Sequence, residues 1–150
     1  MSTAIGVSKP PASSRPRIAL IEDDATLALA WRVYLQGRYE VRVYPDGAAA
    51  LAEDWEEDEP PDVILLDLMM PGVSGWDVTY LLQGQGLAAR TVLITALCDD
   101  DAQVVQFAEQ QGTAGVLYKT PATDLLQRLD EAIQHVLSQR EECNLRKCPQ

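Results

Sequence analysis

Val63-Ile64-Leu65-Leu66-Asp67 is the stretch whose reading decides the fold, an apolar run of strand length closed by a carboxylate. A second run, Ile18-Ala19-Leu20-Ile21, also ends in acid, at Glu22-Asp23. In an open parallel sheet, ligands bind in the crevice outside the carboxyl ends of the strands. Acids at two such ends therefore point to a metal or phosphate site rather than to packing.

Outward from these runs, Val41–Tyr44, Val92–Ile94 and Val116–Tyr118 read as further strands, five in all. Helical patterns alternate with them at Ala25–Gln36, Gly47–Trp55, Gly75–Gln83, Asp100–Gln111 and Ala122–Gln139. Each has apolar residues three or four apart, as in Leu27, Trp31, Tyr34 and Leu35. Strict β-α alternation predicts right-handed crossovers and an α/β fold with a doubly wound parallel sheet. Asp46 reads as an N-cap, and Thr120-Pro121 as a cap followed by proline at the first helical position. The acidic stretch from Glu53 to Glu59 reads as a solvated surface, and Pro60-Pro61 stops its helix and starts the loop to the third strand.

The chain of 150 residues is long enough for one domain with a real core. Its formal charge of −11 repels phosphate backbones, and its basic residues form no run on one face, so direct nucleic-acid binding is not expected. Acidity suits a protein that binds cations. Residues 1–16, rich in Ser, Pro and Ala, lack the apolar core of a signal peptide and read as a disordered lead-in. With no apolar stretch approaching ~20 residues, no membrane span is expected and a cytoplasmic location is the natural reading. The domain is predicted over 17–139, followed by a flexible polar tail over 140–150. Cys98, Cys143 and Cys148 make no disulfide framework, and the tail cysteines with His135 fall short of a four-ligand metal knuckle. Cys98 reads as a small packing residue, and Trp31, Trp55 and Trp76 as packing or surface aromatics.

Ordered by expected position, Glu22 and Asp23 follow the first strand, Asp67 the third, Thr95 the fourth and Lys119 the fifth. All five sit at strand C-termini. Clustered carboxylates repel one another, and Mg²⁺ relieves that cost while accepting oxygen ligands. A carboxylate can also attack a phosphoryl group to form an acyl phosphate, with a metal and an ammonium neutralising the oxygen charge and a hydroxyl donating to another oxygen. Asp67, Lys119 and Thr95 supply those parts. Each member has a plainer reading: acids at a helix start, a strand threonine, an exposed lysine.

Together these residues resemble the receiver domain of two-component response regulators, over about Arg17 to Gln139. The matching segments are Ile18-Ala-Leu-Ile-Glu22-Asp23-Asp24, Asp46-Gly47-Ala-Ala-Ala-Leu51, Val63-Ile-Leu-Leu-Asp67-Leu-Met-Met-Pro71-Gly-Val-Ser-Gly75, Thr91-Val-Leu-Ile-Thr95-Ala96, and Lys119. The resemblance implies a flavodoxin-like (βα)5 fold with strand order 2-1-3-4-5. It implies Asp67 as phosphoacceptor, and Glu22, Asp23, Asp67 and the Met69 carbonyl as Mg²⁺ ligands. Thr95 becomes the switch hydroxyl, Lys119 the partner of a phosphoryl oxygen and Asp24 a helix cap, while Ala96 leaves room beside the site. The phosphoryl donor it implies is a sensor histidine kinase, a histidine phosphotransfer protein or, slowly, a small phosphodonor. The implied output is a changed surface on the fourth helix, fifth strand and fifth helix, read by a downstream protein or by a phosphorylation-dependent homodimer. No enzymatic activity is implied beyond self-phosphorylation and self-dephosphorylation. Apolar Met69 and Leu97 at positions that tune phosphoryl lifetime predict slow self-dephosphorylation.

Two departures from the family pattern concern signalling. The residue after the lysine, usually a proline in a cis peptide, is Thr120. Three residues before the lysine, where an aromatic often flips inward, stands Val116; Tyr118 directly precedes the lysine. Coupling is then expected through Tyr118 or through the backbone of 95–99. A phosphorylation-independent pseudo-receiver acting as an interaction adaptor is the alternative. A haloacid-dehalogenase-type phosphatase fits less well, because its second Asp would stand where Met69 is. The sequence accommodates a stand-alone receiver or a piece of a larger regulator.

Overall fold

The computed structural model describes residues 15–55, 59–96, 102–119 and 124–147, with side chains described up to 143. Five strands form, β1 Arg17–Ile21, β2 Glu40–Tyr44, β3 Val63–Asp67, β4 Thr91–Thr95 and β5 Gly115–Tyr118. They pair all-parallel in the order β2-β1-β3-β4-β5. The helices are α1 Ala25–Leu35, α2 Gly47–Leu51, α3 Gly75–Gly84, α4 Ala102–Gln111 and α5 Leu125–Lys147, with a 3-10 turn at Ala88–Arg90. The doubly wound, flavodoxin-like arrangement expected from the sequence is the one observed.

Strand alternation explains the two apolar layers. Ala19, Ile21, Ile64, Leu66 and Leu93 pack on one face against Val78, Leu82, Val104 and Phe107. Ile18, Leu20, Leu65, Ile94 and Leu117 pack on the other against Trp31, Leu35, Leu129, Ile133 and Val136. Every residue of β3 is buried, which is why its sequence is a continuous apolar run. Each such aliphatic side chain contributes roughly 1.5–3 kcal/mol by leaving water. Trp31 and Trp55 are buried and Trp76 packs edge-on against Phe107, with ring centroids 4.6 Å apart, so these aromatics serve packing. Among the described residues no helix is long and apolar enough to cross a membrane.

Local capping starts three of the helices. Asp24 accepts from the Leu27 N–H at 3.1 Å, Asp46 from Ala49 at 2.8 Å and Ser74 from Asp77 at 3.3 Å. Residues 120–123 lie outside the described residues, and with them the expected Thr120-Pro121 cap and the Lys119-Thr120 peptide.

Two helix ends differ from expectation. Helix α2 stops at Leu51 instead of continuing to Trp55, because Trp55 turns inward to meet Tyr44 edge-on at 6.0 Å. Glu53, expected on a solvated surface, accepts from the Tyr44 hydroxyl at 3.2 Å and pairs with Arg42 at 2.8 Å. At the other end of the chain, α5 runs on to Lys147, past the expected stop at Gln139 and through most of the segment read as a flexible tail. No Gly or Pro interrupts residues 125–147, and Arg140 in the added turns anchors to Asp62 at 2.8 Å. Cys143 is exposed on this extension.

Polar ties close the amino end of the sheet. Asp62 accepts from the Arg17 backbone N–H and from Arg140, each at 2.8 Å, and Arg90 donates to the Pro61 carbonyl at 2.9 Å. Buried Asp130 of α5 accepts from Arg38 and from the Tyr39 hydroxyl at 2.5 Å, while Gln134 donates to that same hydroxyl at 2.5 Å. These contacts tie α5 to the turn between α1 and β2.

Candidate functional site

The carboxyl ends of β1 and β3 lie side by side, because the two strands pair directly from Ile18↔Val63 to Ile21↔Leu66. Chain geometry therefore carries Glu22 and Asp67 to one place, and carboxylate oxygens of Glu22, Asp23 and Asp67 all lie within 4.8 Å of one another. Glu22 and Asp67 are almost fully buried, at 1% and 2% exposure, whereas Asp23 faces solvent. Lys119 reaches across from the end of β5, placing Nζ 2.8 Å from Glu22 Oε1 and 3.0 Å from Asp67 Oδ2. Three acids thus face one ammonium.

Backbone groups hold the two buried acids in place. Met69 donates its N–H to Asp67 Oδ1 at 3.0 Å, and Asp24 donates its N–H to Glu22 Oε2 at 3.2 Å. Thr95 is fully buried at the end of β4, and its carbonyl accepts from the Lys119 N–H at 2.7 Å, which couples the ends of β4 and β5. Of the residues expected at the site, Glu22, Asp67 and Lys119 are brought into contact, and Asp23 is brought alongside them. Thr95 is joined to them through Lys119. Met69 meets Asp67 through its backbone, and its side chain is exposed. Leu97 and Cys98 lie outside the described residues.

Gly75 has a role that sequence reasoning missed. A Cβ there would lie 2.3 Å from the Asp67 carbonyl oxygen and 2.4 Å from Leu68 Cα, so only glycine lets α3 start against the end of β3. Its N–H donates to the Leu68 carbonyl at 3.1 Å. The preceding turn uses Gly72 at φ +75°, a conformation costly for other residues. The signal was present in the spacing of Pro71-Gly72 and Gly75, but a close backbone approach cannot be read from spacing alone.

The electrostatics follow from this crowding. Burial, then the hydrogen bond and charge of Asp67, push Glu22 up to about 7, against the opposing pull of Lys119 and the Asp24 N–H. Burial alone would lower Lys119, but its hydrogen bonds to Glu22 and Asp67 and their charges outweigh that, and the ammonium is held above its usual range. Glu22 Oε1 is buried, and among the described residues its one partner is the Lys119 ammonium. A buried, under-satisfied oxygen within an all-carboxylate donor set fits a hard divalent cation such as Mg²⁺, which takes oxygen ligands and retains waters.

The response regulator receiver domain model matches residues 18–130, which runs from β1 into the start of α5 and takes in every residue of the cluster. The chain belongs to this family.

Among curated relatives, this receiver domain is 37% identical over 86 residues to the DNA-binding response regulator MtrA of Mycobacterium tuberculosis, covering 57% of this chain and 36% of that protein. The sensory transduction protein RegX3 of Mycobacterium bovis is 37% identical over 90 residues, covering 59% of this chain and 38% of RegX3. The chain spans well under half the length of these relatives. Among solved structures, the signal receiver domain of a protein described as a LuxO repressor from Vibrio parahaemolyticus superposes with a TM-score of 0.73 at 26% identity, covering 87% and 96% of the two chains. A CheY-like receiver domain from Methanospirillum hungatei superposes with a TM-score of 0.72 at 22% identity, covering 86% and 98%, which speaks to fold. The family typically uses Mg²⁺, and the cluster of Glu22, Asp23 and Asp67 could hold a metal ion.

Proposed function

We propose that this receiver domain accepts a phosphoryl group on Asp67 from the phosphohistidine of a partner kinase or phosphotransfer protein, and signals by changing its protein-binding surface. The single observation that supports this most is the convergence of Glu22, Asp23, Asp67 and Lys119 at the carboxyl end of the sheet, with acids in excess of cations. In the transfer, an Asp67 carboxylate oxygen attacks phosphorus, the phosphorus–nitrogen bond breaks, and the imidazole leaves with its electron pair. Lys119 pairs with one phosphoryl oxygen and the Thr95 hydroxyl donates to another. Glu22, Asp23, Asp67 and the Met69 carbonyl would hold Mg²⁺. Bound there, the ion supplies positive charge to the phosphoryl oxygens.

The buried hold of Lys119 on both acids keeps Asp67 oriented before transfer, and the Met69 N–H fixes its other oxygen. The acyl phosphate then biases a two-state equilibrium involving Thr95 and Lys119. The apolar Met69 side chain brings no group that could position an attacking water, which supports slow self-dephosphorylation. We place the chain in the cytoplasm, with a downstream protein or a phosphorylation-dependent homodimer as its output. The net charge of −11 supports the view that this domain itself does not bind DNA, even where relatives are named for DNA binding.

Intact mass after treatment with acetyl phosphate and Mg²⁺ tests the proposal. One phosphoryl group is expected on the native chain, and none on Asp67→Asn or on the chelated control. No adduct on a demonstrably folded native chain would favour a pseudo-receiver that works through phosphorylation-independent contacts.

A further inference from the structure

The β2–α2 turn, residues 44–47, supplies none of the groups assigned to the metal in the proposal above, on which this inference rests, yet it touches both loops that supply them. On one side the Tyr44 carbonyl accepts the Glu22 N–H at 3.1 Å, so the turn holds the backbone of an acid that follows β1. Pro45 lines the same cavity as Glu22 and Asp23. On the other side Gly47, buried at the start of α2, lies against the loop 68–74 that runs from Asp67 to α3. A Cβ at Gly47 would come within 3.0 Å of the Val73 carbonyl oxygen, 3.3 Å of Val73 Cβ and 2.8 Å of Val78 Cγ2.

The turn is itself well anchored. Asp46 caps α2 by accepting from the Ala49 N–H at 2.8 Å, and buried Tyr44 meets Trp55 edge-on and donates its hydroxyl to Glu53. The loop opposite is tied at its ends by the Met69 N–H on Asp67 and the Gly75 N–H on the Leu68 carbonyl, and between them Val73 packs against the core. A backbone carbonyl cannot swing aside as the end of a long side chain can, so a methyl at Gly47 would move the loop by a few tenths of an ångström. Val73 stands four residues after Met69. Mg²⁺ demands near-ideal octahedral geometry, and shifts of that size in an oxygen ligand are felt in its affinity.

We propose that Gly47 is a positioning residue of the metal site: the lack of a side chain there seats the β2–α2 turn against both loops, and so fixes the loop that carries the Met69 carbonyl relative to Glu22. The Asp46-Gly47 pair thereby serves the site although neither residue carries a ligand.

Calorimetric titration with Mg²⁺, beside denaturant unfolding without metal, tests this on the full chain with three variants. Gly47→Ala is expected to bind Mg²⁺ about 10-fold more weakly than the native chain. Val78→Ala, which removes packing at the same contact without crowding the loop, is expected to unfold at lower denaturant concentration and to keep the native Mg²⁺ affinity. In the double variant of Gly47→Ala and Val78→Ala, the overlap with Val78 is relieved and that with the Val73 carbonyl remains, so Mg²⁺ binding is expected to stay weak. The double variant also carries the test if Gly47→Ala alone fails to fold. Native Mg²⁺ affinity in Gly47→Ala would overturn the inference. So would its return in the double variant, which would route the effect through α3, or an equal loss in Val78→Ala, which would make affinity follow packing in general. If the native chain binds no Mg²⁺, the metal reading falls and this inference with it; if it binds and Gly47→Ala binds equally well, only this inference falls.

Discussion

The two ends of the sheet treat acidic residues in opposite ways. At the amino end, Asp62 takes the Arg17 N–H and Arg140, and Asp130 takes Arg38 and the Tyr39 hydroxyl, so each acid is matched by donors. At the carboxyl end, Glu22 and Asp67 share one lysine with Asp23 close beside them, and the most buried of the three is pushed toward the neutral form. Matched acids fasten elements together. Surplus acids cost stability and persist where a cation or a phosphoryl group is to be received.

Removing an acid at each end should therefore move stability in opposite directions. The largest effect is expected at Asp130: Asp130→Ala leaves the Tyr39 hydroxyl and Arg38 without their acceptor and should cost about 3 kcal/mol in denaturant unfolding, with Mg²⁺ affinity unchanged. Retained stability would break the contrast from the amino end.

Next in size, Gly75→Ala drives a methyl into the Asp67 carbonyl and Leu68, and should cost about 2–3 kcal/mol while slowing phosphoryl uptake. This sharpens the contrast, since it is a cost at the carboxyl end that arises from backbone contact and not from charge. Uptake at the native rate, measured by intact mass against time, would show that the approach of α3 does not position Asp67.

Glu22→Gln should raise the stability of the metal-free chain by about 1–2 kcal/mol above neutral pH and weaken Mg²⁺ at least about 10-fold. Calorimetric titration with Mg²⁺ checks the second part. A matching pH dependence goes with it. Glu22 holds its proton more tightly folded than unfolded, so between about pH 4.5 and 7 the folded chain keeps a proton that the unfolded chain releases. Its contribution to stability falls as pH rises through that window, by about 1.4 kcal/mol for each pH unit, and is flat above it. The window should disappear in Glu22→Gln and shrink when Mg²⁺ is added.

Much of this was legible in the sequence because parallel strands put their ends in one place: apolar runs ending at Ile21, Leu66 and Tyr118 predict where Glu22, Asp67 and Lys119 converge. Helix starts at Ala25, Gly47 and Gly75 were equally readable from apolar spacing, with the cap at Asp46 marking the second. Features that depend on tertiary approach were not. Trp55 turns into the core and ends α2 early, though its flanking acids resemble an exposed helix surface. The stretch after Gln139 reads as polar tail by composition, yet α5 continues through it with Arg140 tied to Asp62. The need for Gly47 and Gly75 appears only once the backbone is in place.

The contrast between the two ends is tested most directly by equilibrium denaturation of native and Glu22→Gln protein slightly above neutral pH, first without metal and then with saturating Mg²⁺. The account predicts that the variant is the more stable without metal and that Mg²⁺ reverses the order, because only the native cluster gains from the ion. A variant less stable than the native chain without metal, or an order that Mg²⁺ leaves unchanged, would contradict the view that these carboxylates are held in surplus for a cation.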